Sequence, residues 1–135
     1  MTAVIARLLA WIRPWFGRPA VPPVLGHVVF VTDPYALAHV RNIHAALVTA
    51  IERKAPHLIV YREWNGRLGY YDYHHLPPPN DGAMAAWFQG DRTIAALGKG
   101  PISEHVLRHE LGHDITDRID HPSEIFSGSP PQLTV

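Results

Sequence analysis

Ser103-Glu104-His105-Val106-Leu107-Arg108-His109-Glu110-Leu111-Gly112-His113 is the stretch on which the reading of this chain turns. A serine side chain can accept from the free N–H groups of a first helical turn, and Glu104 suits the positive end of the helix dipole. No proline interrupts the run that follows, so a helix is expected from the Ser103 cap to about Ile119. Leu107, Leu111 and Ile115 recur every fourth residue and give it an inward-packing stripe. His109 and His113 share the same spacing, which stacks both imidazoles on the other side, within reach of one metal ion. Glu110 lies beside them, placed to take a proton from metal-bound water, so H-E-x-x-H reads as a zinc-hydrolase signature. Ten His and five Glu in 135 residues give only about 0.03 such matches by chance.

Catalytic zinc takes three protein ligands and keeps a position for water. The third donor lies among Asp120, Glu124 and His121. Asp117 is disfavoured because one further helical turn carries its short side chain about 5.4 Å along the axis. Supporting a ligand by a hydrogen bond, or facing solvent at the helix end, is its expected role.

Taken together, His109-Glu110-Leu111-Gly112-His113, Asp120-His121 and Ser123-Glu124-Ile125-Phe126-Ser127-Gly128 resemble the small metzincin-like neutral proteases of the snapalysin type. The resemblance covers the last third of the chain, and the rest agrees in size and element order. It implies a zincin-like α+β fold, Zn2+ held by His109, His113 and Asp120, and Phe126 at the place of the turn methionine beneath the metal. The chain departs from that family in four ways: Thr116 stands for a turn glycine, the acid falls seven residues after His113 instead of six, Phe replaces Met, and Pro122 replaces a tyrosine. His113-x-x-Thr116-Asp117 also looks like the thermolysin-type gluzincins, whose ligand acid and supporting carboxylate are four apart, as Asp120 and Glu124 are. Both resemblances point to Asp120 as third ligand, which ranks it first, with Glu124 next and His121 third.

Zero formal net charge, with Lys+Arg and Asp+Glu both at 12, gives no basic field, so nucleic acid is not an expected partner. Cysteine is absent, which excludes disulfides, thiolate ligands and cysteine nucleophiles together. The length suits one domain able to bury a core. Residues 1–23 read as an amphipathic arm and Pro-rich linker, and residues 24–135 as the zincin-like domain. Val4, Ile5, Leu8, Leu9, Trp11, Ile12, Trp15 and Phe16 are broken by Arg7 and Arg13, too short and interrupted for a transmembrane helix. The charge order and the lack of a clear cleavage site also disfavour a signal peptide. Residues 1–16 are expected to dock on their own domain, a partner protein or a membrane surface.

His27-Val28-Val29-Phe30-Val31 is β-rich, and Asp33-Pro34 opens a helix on which Leu37, Val40, Ile43, Leu47 and Ile51 recur up to Ala55-Pro56. His39 and His44 on it are read as structural or solvent-facing. Leu58–Glu63 and Leu68–Tyr73 flank Asn65-Gly66 and predict a hairpin. A second hairpin is predicted for Ala85–Phe88 and Thr93–Leu97 around Gly90-Asp91. Tyr70, Tyr71 and Tyr73 are expected to pack, and His74-His75, being adjacent on a strand, cannot easily share an ion. The expected fold is α+β: a small twisted sheet, a backing helix, the H-E-x-x-H helix and an irregular C-terminal tail. The expected function is a zinc metalloendopeptidase in which Glu110 is the general base and an extended polypeptide is the substrate. The alternative is a non-catalytic zincin-like structural or docking module in a larger, for instance viral, assembly.

Overall fold

Asp33 begins the long helix as its sequence predicts: its side chain accepts the Tyr35 N–H at 3.1 Å, and Pro34 occupies the first turn, where a missing N–H costs nothing. In this computed structural model, which describes residues 27–72, 84–98 and 101–135, that helix (α1, Pro34–Lys54) follows a short strand (β1, Val28–Phe30) and ends at Ala55, before Pro56. The second helix (α2, Glu104–Thr116) is capped by Ser103, whose Oγ accepts from the Val106 N–H at 3.3 Å. It stops three residues short of the expected Ile119. Asp117 takes a left-handed conformation (φ 51°) there, and its N–H returns to the Asp114 carbonyl.

Four strands form one mixed sheet. β1 pairs antiparallel with β2 (Arg67–Tyr71), β2 pairs parallel with β4 (Thr93–Ala96), and β3 (Ala85–Phe88) lies at the edge, antiparallel to β4. The β3–β4 hairpin is the one the Gly90-Asp91 turn predicts. The described residues are therefore α+β, with two α-helices and a small mixed sheet.

The hairpin predicted around Asn65-Gly66 does not form. After a 3-10 turn at Pro56–Leu58, residues 59–66 run across the end of α2, where the N–H groups of Val60 and Tyr61 both donate to the Ile115 carbonyl at 2.8 and 3.0 Å. That carbonyl is one of the four a helix end leaves open, so tertiary pairing outweighs the local turn signal. Gly66 serves another purpose. A Cβ there would stand 1.7 Å from the Arg92 carbonyl oxygen, so only glycine lets β2 start this close to the β3–β4 turn.

The core joins these elements: Val40, Ile43, Leu47 and Ile51 of α1 meet Leu107, Leu111 and Ile115 of α2, with Trp87 and Ile94 from the sheet. This is the stripe read from the sequence, and cutting Leu111 back to Ala costs about 2–5 kcal/mol. The tail is more ordered than expected. Strands β5 (Phe126–Ser127) and β6 (Gln132–Leu133) form a two-stranded ribbon, with Ile125 and Phe126 buried beneath α2. Gly112 permits this contact, because a Cβ there would come within 2.9 Å of Leu133 Cδ1 and 3.3 Å of Phe126 Cζ.

Among the described residues, no helix is long and apolar enough to cross a membrane. The arm at residues 1–23, Tyr73, and the His74-His75 pair lie outside the described residues.

Candidate metal centre

His109 and His113 occupy successive turns of α2, and their Nε2 atoms face each other at 3.0 Å. His121 approaches from the segment that follows the helix. One ring nitrogen from each of the three lies within 4.8 Å of the others. Nitrogens around a tetrahedral zinc ion with bonds of about 2.0–2.1 Å stand roughly 3.3 Å apart, so the three imidazoles fit such an ion with small side-chain rotations. Phe126 underlies all three, with its ring centre 5.1 Å from His109, 5.2 Å from His113 and 5.1 Å from His121.

The polar contacts suit ligation. His113 donates its Nδ1–H to the Arg118 carbonyl at 2.7 Å, because a carbonyl can only accept. That tautomer leaves the Nε2 lone pair directed at the cluster. Burial, joined by the neighbouring His113, His121 and His105, pushes His109 down to about 2. Burial and His121 push His113 down to about 3, against the opposing pull of the Arg118 carbonyl and Asp120. Burial also lowers His121, with Asp120 opposing. All three are therefore neutral near pH 7, the form that binds metal.

Glu110 is fully buried, and neither carboxyl oxygen has a hydrogen-bond partner among the described residues. Burial raises its carboxyl well above the ordinary range. A buried carboxyl without partners is costly to fold around. It follows His109 directly on α2, the helix whose Leu107, Leu111 and Ile115 fill the core.

Asp120, ranked first as third ligand by the sequence, is not in the cluster. It is an exposed residue held by both arms of Arg118, Nε–Oδ1 and Nη2–Oδ2 each at 2.7 Å. Those bonds keep its carboxyl below the usual range. Glu124 is also elsewhere, in an exposed pair with His57 at 3.0 Å. Asp117 accepts from Gln89 Nε2 at 3.3 Å. The structure thus brings together His109, His113 and His121, the third-ranked alternative, with Glu110 adjacent in sequence. Tyr70 is half exposed, whereas Tyr71 is buried and its phenol raised by that burial. His39 is exposed and His44 fully buried. A cavity of about 690 Å³ opens beside Val40, Leu68, Tyr71, Ile102 and Leu107, and none of the three imidazoles lines it.

Sequence reasoning missed Asp114. Its buried carboxylate accepts from Trp87 Nε1 (3.1 Å), Arg92 Nε (2.9 Å), Arg92 Nη2 (2.7 Å) and His44 Nε2 (3.0 Å). Burial alone would raise this carboxyl, but the bonds from Arg92 and His44 outweigh it and hold it low. An Asp inside an apolar helix was the available signal, since a buried carboxylate needs partners.

No family profile and no solved structure matches the chain. Human calmodulin-regulated spectrin-associated protein 3 is 34% identical over 110 residues, covering 80% of this chain. The chain spans 8% of that protein's length.

Proposed function

We propose that this chain is a zinc-dependent endopeptidase of the zincin type, with His109, His113 and His121 as metal ligands and Glu110 as general base. The observation that carries the reading is the convergence of three neutral imidazoles, two of them on the helix that also carries, directly after His109, a buried carboxyl with no hydrogen-bond partner among the described residues. His121 replaces Asp120 in the ligand set because Arg118 engages both oxygens of Asp120.

Zinc bound there would lower the pKa of a water molecule and polarise a peptide carbonyl. The chain's own residues supply the rest. Arg118 holds the His113 ring in the ligating tautomer through its backbone carbonyl, and Phe126 packs under the rings and keeps bulk water from that side. Glu110, whose raised affinity for protons suits a shuttle, takes the water proton and delivers it to the leaving nitrogen. Strand β3, antiparallel at the sheet edge and packed against α2, supports an extended polypeptide as substrate, bound by backbone pairing.

The test is zinc content together with cleavage of an unfolded protein substrate. Glu110→Gln is expected to keep the metal and lower turnover by at least about 100-fold. Wild-type turnover in that variant rules out Glu110 as the base. Zinc binding without cleavage by the unaltered chain instead supports the non-catalytic docking module.

A further inference from the structure

Asp114 follows His113 directly, yet its contacts reach three other parts of the fold. His44 comes from α1, Trp87 from β3, and Arg92 from the β3–β4 turn, where its left-handed backbone (φ 52°) aims the guanidinium inward. Arg92 binds the carboxylate with both arms of its fork, donates to the Glu63 carbonyl as well, and lies 4.0 Å over the Tyr61 ring. The bidentate geometry fixes the carboxylate in one orientation. That orientation in turn fixes the Trp87 indole, whose Nε1–H points at Asp114 Oδ1.

The Trp87 ring lies nearly parallel to His113, at 17° and 6.3 Å between centres, and Phe126 lies at 24° and 5.2 Å. His113 is therefore held by two near-parallel aromatic rings and the Arg118 carbonyl, and one of those rings is pinned by Asp114. We propose that Asp114, through Trp87, is a positioning residue that sets the His113 ring for metal binding, a role that rests on the metal-centre reading above. Partners that orient a ligating histidine typically contribute 10–100-fold to metal affinity.

The experiment measures zinc affinity by competition with a chromophoric chelator, and the absorption spectrum of the Co2+-loaded protein, in the full chain. Asp114→Asn places an amide N–H₂ against donors and is expected to weaken zinc binding by 10-fold or more and to alter the Co2+ bands. Trp87→Phe keeps a ring beside His113 but loses the anchoring N–H, and is expected to weaken binding in the same direction. It decides the matter should Asp114→Asn fail to fold. Val28→Ala, a truncation of a buried β1 side chain outside the core cluster that holds Trp87, controls for general destabilisation and should leave affinity and spectrum unchanged. Folded Asp114→Asn or Trp87→Phe protein with wild-type affinity and spectrum overturns the positioning role alone. An equal loss of affinity in Val28→Ala also overturns it, as does a failure of the unaltered chain to take up zinc, which in addition defeats the metal-centre reading.

Discussion

His121 and Asp120 are neighbours with opposite surroundings. The imidazole is half buried against Phe126 and two other rings, whereas the carboxylate faces out onto the Arg118 fork. If the ligand set is three imidazoles, His121→Ala should weaken zinc binding by more than about 100-fold, since losing a direct ligand exceeds the loss of an orienting partner. Asp120→Asn should leave zinc affinity within a few-fold. Equilibrium dialysis against a metal buffer reads both, and the reverse ordering would return Asp120 to the ligand position. The choice between the two was not legible in sequence. Spacing after His113 allows either, and what separates them is a local ion pair with Arg118, whose geometry depends on where the chain turns. His109, Glu110 and His113 were legible because one helix sets their relation: a fixed rise and twist place them without help from the rest of the fold.

At the level of elements the same distinction holds. The caps at Asp33 and Ser103 and the turn at Gly90-Asp91 act within a few residues, so they could be read directly. Asn65-Gly66 misled because its strongest partners are remote. Val60 and Tyr61 bond to Ile115, and β2 finds its neighbours in β1 and β4. The Asp114 contacts were invisible for the same reason, since His44 is 70 residues away and Arg92 is 22. Gly66 gives the element-scale prediction. Gly66→Ala forces a methyl group into the Arg92 carbonyl, a backbone atom that cannot swing aside, so the start of β2 and the β3–β4 turn must separate. A loss of about 3 kcal/mol is expected, at the upper end of overpacking costs. Urea denaturation should show a lower midpoint with little change in slope. A midpoint equal to wild type would mean that the two segments are not in close contact.

Across the whole molecule, the proposed metal site would couple folding to protons and zinc. In the metal-free protein, His109 and His113 are held at about 2 and about 3, below their ordinary 6.5. The unfolded chain then takes up protons that the folded one refuses, so their stabilising contribution is complete above about pH 6.5 and is lost as pH falls toward those values. Glu110 acts in the opposite sense. Its raised carboxyl keeps a proton in the fold that the unfolded chain releases, so its contribution is complete below its ordinary 4.5 and is lost as pH rises through the folded value. Two histidines outweigh one carboxyl on the acid side, so metal-free stability should rise between about pH 4.5 and about pH 6.5. On the proposed reading, zinc binds only the folded, deprotonated site. At 100 times its dissociation constant it should add about 2.7 kcal/mol, or roughly 10 °C in midpoint temperature for a domain of this size. That gain should shrink in acid, where protons compete for the same nitrogens. Calorimetric scans from pH 4 to 9, with zinc and with chelator, test both halves of the linkage. A zinc-induced rise that is as large in His109→Ala and His113→Ala chains as in wild type would place the stabilising ion somewhere other than these imidazoles.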